Sequence, residues 1–175
     1  MKQSGTTLSE TLIALAIGAL LVLVAVPAFL SMIKVSRLHA AARQAVGDLR
    51  EARAQAIATG WECKVVGFGN ASTDPNRNQY RVMARQTSGV AWPSDTAPTF
   101  KSTTQRADPW VDVSSAFPGV QLDPGGTSTN DRFEIVFDSR GAATPSLNDF
   151  SPFRVVGTGK PAVITVTPPG GIVLQ

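Results

Sequence analysis

The sequence predicts an α+β fold: one long N-terminal helix, membrane-spanning over its first half, with a small antiparallel β-sheet head packed on its C-terminal half. Three observations predict it. No charged residue occurs from Thr11 to Ile33, a run long enough to cross a hydrocarbon core of about 30 Å as a helix rising about 1.5 Å per residue. Small and apolar residues then recur at helical spacing as far as Ala56. Beyond Gly60 the chain breaks into short apolar runs separated by Gly, Pro, Ser, Asn and Asp, the punctuation of strands and turns.

The first element begins oddly. Met1-Lys-Gln-Ser-Gly5 is too short for the charged region of a secretory signal, and no small-residue cleavage site follows the apolar run. A processing point would instead lie before the hydrophobic segment, at Gly5. Glu10 sits at the edge of that segment, where a carboxylate needs a reason. Two reasons are available. The helix macrodipole favours a negative charge near the helix start, or Glu10 pairs with a positive amine. Cleavage after Gly5 would create such an amine at Thr6, about one turn away. Pro27 lies inside the apolar run, where it removes a backbone donor and kinks or locally melts the helix.

From residue 34 the helix becomes an amphipathic stem. Leu38, Ala42, Ala45, Leu49, Ala52 and Ala56 mark one face, while Arg43, Arg50, Glu51 and Arg53 lie away from it. Alanine gives the stem high helix propensity and lets a sheet or a second helix approach closely. Gly60 is its stop signal. From Thr6 to Thr59 such a helix would run about 80 Å.

The head, residues 61–175, reads as strands at Glu62–Phe68, Gln79–Arg85, Trp110–Ser114, Phe133–Phe137, Phe153–Val156 and Ala162–Val166. A last strand, Ile172–Leu174, returns after a turn at Pro168–Gly171. Phe133, Ile135 and Phe137 alternate with Glu134 and Val136, as one buried face requires. Gly69–Asn78 and Ser88–Asp108 read as loops. The second holds Trp92, Pro93, Pro98 and Phe100; these aromatics either contact neighbouring subunits or form a lid over the sheet.

The N-terminal pattern of Gly5, Glu10, the apolar run through Leu30 and Pro27 within it resembles the type IV pilin and pseudopilin family. The stretch Ala41–Lys64, the Phe133–Phe137 strand with Asp138-Ser-Arg-Gly141 after it, and the strand pair around Pro168–Gly171 are similar to minor pilins and pseudopilins of the GspH/FimT type. The resemblance implies a prepilin leader of residues 1–5, cut after Gly5 by a prepilin peptidase, and N-methylation of Thr6, although family members usually carry Phe there. It implies that residues 6–33 are the transmembrane and filament-core half-helix, and that Glu10 neutralises the amine of a neighbouring subunit. Its implied partners are other pilins or pseudopilins and an inner-membrane assembly platform. It places the chain in the bacterial inner membrane with the head in the periplasm.

Charge alone argues the opposite topology. Residues 34–60 carry five basic side chains against two acidic ones, just beyond the span, whereas Lys2 stands alone before it. From residue 61 onward basic and acidic side chains cancel. The implied function is a minor structural subunit that helps initiate or cap a type IV pilus, with an H-type pseudopilin of a type II secretion system as the alternative. A further alternative is a pilus-associated DNA-binding subunit for natural transformation. Its phosphate contacts would come from Arg77, Arg81 and Arg85, the last two on one strand face with Met83.

Enzymatic chemistry finds no foothold in the sequence. His39 is the sole histidine and lies on the stem, so no Ser–His–Asp triad or His-based metal site is available. Cys63 is the sole cysteine, which excludes an internal disulfide and a C-x-x-C site; it reads as a buried strand residue. A Cys63–His39 pair would have to bridge about 36 Å of helix. Gly67-Phe-Gly69 lacks the third glycine of a dinucleotide loop, and Asp123–Gly126 is a turn. No cofactor or metal is expected.

Overall fold

The computed structural model describes residues 8–124, 131–145 and 153–175. Helix α1 (Leu8–Thr59) is continuous over 52 residues, about 78 Å at the standard rise. It ends where the sequence places its stop: Gly60 adopts φ +71° and its N–H donates to the Ala56 carbonyl at 2.9 Å. That left-handed position closes the helix at no steric cost to glycine.

The head follows as β1 (Glu62–Phe68), β2 (Gln79–Arg85), β3 (Phe100–Lys101), β4 (Gln105–Ala107), β5 (Val111–Asp112), a single turn α2 (Val113–Ala116), β6 (Gln121–Asp123), β7 (Arg132–Phe137), β8 (Ala143–Pro145), β9 (Phe153–Val156), β10 (Ala162–Val166) and β11 (Ile172–Leu174). These strands form two sheets rather than the one expected. The larger has the order β3-β4-β2-β1-β7-β8, with β5 also on β2, and the smaller β11-β10-β9-β6. All pairings are antiparallel.

Specific contacts join the two sheets. Asn78, at φ +59° and buried, accepts the Leu122 N–H at 2.6 Å and donates to the Val120 carbonyl at 3.2 Å. At the other end the Ala143 N–H donates to the Pro168 carbonyl at 2.9 Å. Between them the rings of Phe133 and Phe153 stack at 4.5 Å and 2°. Phe133 lies over Gly67, its cross-strand partner, where any Cβ would collide with the ring. Glycine there lets the larger sheet receive the ring and hand it to the smaller one.

The core lies between these sheets and the stem. All six stem positions expected to be buried are buried, together with Ala41 and Val46. They meet Cys63, Val65, Tyr80, Phe137, Leu122, Val155 and Ile164 from the head. Leu38 and Leu49 are each 1% exposed, and such burial stabilises by about 1.5–3 kcal/mol per side chain.

Other departures have local causes. Trp110–Ser114 is not one strand: only Val111–Asp112 pairs with β2, and Asp112 then caps α2 by accepting the Ser115 N–H at 3.1 Å. The 88–108 segment contains β3 and β4, which extend the larger sheet beyond β2. Strands β6 and β8 are additional. The turn expected at Asp123–Gly126 passes outside the described residues after Pro124.

Candidate functional site

Among the described residues, the apolar half of α1 is the most exposed hydrophobic surface. Leu8, Leu15, Leu23 and Met32 are 70–80% exposed, and the most apolar window has a mean hydropathy of 2.8 with none of it buried by the chain's own head. A surface of this kind is unstable in water at about 25 cal/mol per Å² and must be covered by lipid or by other helices. Glu10 lies in the first turn of this helix. Pro27 lies within it, and the segment stays helical on both sides. Gly5 and Thr6 lie outside the described residues.

The stem half grips the head through two polar contacts that sequence reasoning missed. Arg53 reaches out of α1 so that its Nε donates to the Gly141 carbonyl at 3.0 Å and one Nη to the Pro169 carbonyl at 3.1 Å. Those carbonyls belong to the β7–β8 and β10–β11 turns, so a single guanidinium ties both sheets to the helix. Both turns need glycine: Gly141 has φ +79° and Gly170 φ +81°, and a Cβ on Gly170 would strike the Gly141 carbonyl oxygen. On the other flank the Tyr80 hydroxyl donates to the Asp48 carboxylate. Burial raises the pKa of Asp48, against the bond from Tyr80, and burial also raises that of the Tyr80 hydroxyl. The pair sits in an open groove of about 250 Å³ lined in part by Glu51 and Asp108. The chain's only tyrosine was the available sequence signal for this contact; Arg53 gave none.

The outer face of the larger sheet settles the loop aromatics. Val66, Met83 and Ala107 form a second small core, covered by Trp92, Phe100 and Trp110. The segment is therefore a lid. Cations are drawn into it: Lys64 and Arg85 lie 5.1 and 4.3 Å from the Trp92 ring, and Arg81 lies 5.1 Å from Trp110. Lys64 also pairs with Glu134 at 3.4 Å, and burial lowers its pKa.

This packing relocates the three arginines named for phosphate contact. Arg81 and Arg85 do share a face with Met83, but the lid covers that face. Arg81 is 1% exposed, and one of its Nη atoms donates to the Ala97 carbonyl at 2.8 Å. Arg85 is paired with Glu62 at 2.7 Å and donates to the Val90 carbonyl. Arg77 alone is exposed, in the β1–β2 loop. In this conformation the three do not make one basic patch.

The geometry is that of a scaffold: an uncovered apolar helix, an amphipathic stem and a head fastened to it. No curated protein matches the chain significantly. A solved structure, the type IV minor pilin FimU of Pseudomonas aeruginosa, is similar over 80% of this chain and 89% of that one, at 16% identity and a TM-score of 0.48. The family model for GspH, described as a type II transport protein, matches residues 41–170, from the stem to the last β-turn. The chain belongs to this GspH family.

Proposed function

We propose that the chain is a minor pilin-like subunit that helps initiate or cap assembly of a type IV pilus. The observation that carries this reading is the single continuous helix, with a fully uncovered apolar half leading into a stem bound to the head. Such a helix is held in the inner membrane before assembly and moves into a filament core afterwards. The head, in the periplasm, then takes its place from how the helix packs. Residues 1–5 are removed by a prepilin peptidase, and Thr6 becomes the methylated N-terminus. Glu10 receives the amine of a neighbouring subunit, and Pro27 lets the helix bend as it leaves the bilayer for the filament.

The description of the matched family favours a second reading, an H-type pseudopilin of a type II secretion system. The DNA-binding reading keeps only Arg77 as an exposed candidate in this conformation. The deciding experiment counts surface pili in a strain lacking the protein, with a complemented control. Loss of pili supports the pilus reading. Normal pili with lost protein secretion support the secretion reading, and loss of transformation alone supports DNA uptake.

A further inference from the structure

Acidic residues are missing from two stretches of the chain that the fold brings together. No Asp or Glu occurs from Thr11 to Gly47, nor from Phe153 to Gln175. The first stretch holds the apolar run and the lower stem, and the second holds β9, β10 and β11. The β9–β10 turn hangs beside the first residues past the apolar run. A Cβ added to Gly159 would lie 3.5 Å from the Val35 Cγ2, and one added to Gly157 would lie 3.5 Å from the Leu38 Cδ1. Lys160 is exposed on that turn, and Lys34, Arg37, His39 and Arg43 are exposed on the helix. Among the described residues none of these five forms an ion pair.

Where Leu174 of β11 meets α1 lies an open groove of about 580 Å³. Its lining changes character along the helix axis. Met32 and Val35, nearest the apolar run, and Leu174 are apolar, whereas Ser36, His39 and Arg43 stand farther out and are polar. All three apolar side chains keep part of their surface exposed. The Arg43 Nε donates to the His39 carbonyl at 3.2 Å, which turns the side chain back toward the apolar run. Val35 and His39 stand about 3 and 9 Å beyond Ile33 along the axis. The headgroup layer of a bilayer is about 5–7 Å deep on each side. The polar part of the groove is therefore level with lipid phosphates, and the apolar part with the upper acyl chains.

We propose that this groove holds one anionic phospholipid of the surrounding bilayer, and that the β9–β10 end of the smaller sheet rests on the headgroups. The order of the lining selects that occupant, because a phospholipid carries its phosphate and its acyl chains in the same order. Arg43 offers a guanidinium fork to the phosphate, and the Ser36 hydroxyl and a His39 ring N–H donate to its other oxygens. Met32, Val35 and Leu174 pack along the chain below. Lys160 adds its charge from the turn. A second copy would bring the same cations and no carboxylate between residues 11 and 47. Lipid binding also gives the cations beyond the span a partner, although they stand where cytoplasmic residues are expected. The proposal rests on the apolar half of α1 being a membrane span and holds for a pilus or a secretion filament alike.

The test places the full chain in nanodiscs made of equal parts phosphatidylglycerol and phosphatidylcholine. Insertion is read first, from co-purification of chain and disc. A chain that stays outside overturns the span and the groove with it, whereas every later result bears on the groove alone. Native mass spectrometry of the inserted chain is expected to show one phosphatidylglycerol retained in preference to phosphatidylcholine. Arg43→Gln lowers that preference about fivefold, the factor expected of one cation at a bilayer surface. His39→Gln and Arg43→Gln together abolish it, with thermal unfolding unchanged. Arg50→Gln, about two turns farther out, leaves it as it was. A fluorophore on Lys160→Cys is quenched by a phospholipid with a nitroxide headgroup, and less so in the double variant. Equal retention of the two lipids overturns the proposal, as does absence of quenching. So does a preference that survives the double variant, falls equally with Arg50→Gln, or is displaced by excess inorganic phosphate. Retention of a second copy in place of lipid overturns it too.

Discussion

Asp48 shows what one buried side chain costs the stem. Its folded pKa lies above 3.8, chiefly because burial penalises the charged form, and Glu51 adds to the rise. The folded chain therefore holds a proton more tightly than the unfolded chain does. Stability falls as pH climbs from 3.8 through the raised value. Asp48→Asn keeps an acceptor for the Tyr80 hydroxyl and removes the charge. We predict that it raises the melting temperature of the detergent-solubilised chain at pH 7. It should also flatten the pH dependence. A lower melting temperature for the variant would mean that the charged hydrogen bond outweighs desolvation. Beyond its lone tyrosine the sequence holds no sign of this contact, because 32 residues separate the partners and only the fold brings them together.

Among elements, the Arg53 clasp ties the stem to a turn of each sheet. Arg53→Ala removes two hydrogen bonds to carbonyls and is predicted to destabilise the chain by about 1–3 kcal/mol in urea unfolding. Gly170→Ala should cost more. The left-handed backbone alone is worth about 1–2 kcal/mol against alanine, and the new Cβ also displaces the Gly141 carbonyl from Arg53. Wild-type stability in both variants would show that the remaining core holds the sheets without the clasp. Elements differed in how legible they were for physical reasons. β1, β2, β7, β9, β10 and β11 stand out from their turns as apolar runs with β-branched or aromatic residues. β3, β4, β6 and β8 have two or three residues each, too few to show alternation. At Trp110–Ser114 the Asp112 cap and the paired serines competed with the strand and won after two residues.

For the molecule as a whole, the long helix was legible because its signals are local: an uncharged run, a lone carboxylate and an alanine face. The division into two sheets was not, because it depends on contacts such as Asn78 to Leu122, 44 residues apart. Arginine placement shows the same limit. Alternation put Arg81 and Arg85 on one face correctly, but which face the 88–108 lid covers is a property of the folded head. The assembly role proposed for Glu10 belongs to this scale. Glu10→Ala is predicted to leave the protein in the membrane with a normally folded head, because Glu10 lies far along α1 from the core, and to abolish co-purification with companion subunits. Unchanged co-purification would remove Glu10 from the assembly reaction.

Cys63 carries a practical consequence for mapping the filament. It is 0% exposed, between β2 and β7, and burial pushes its thiol up to about 11. Thiolate is the reactive species, so the native sulfur is inert toward maleimides and mild oxidants near neutral pH. An oxidising compartment should leave it unpaired. A set of single cysteines placed around the stem and the lid can therefore be labelled in living cells against a silent background, without removing the natural residue.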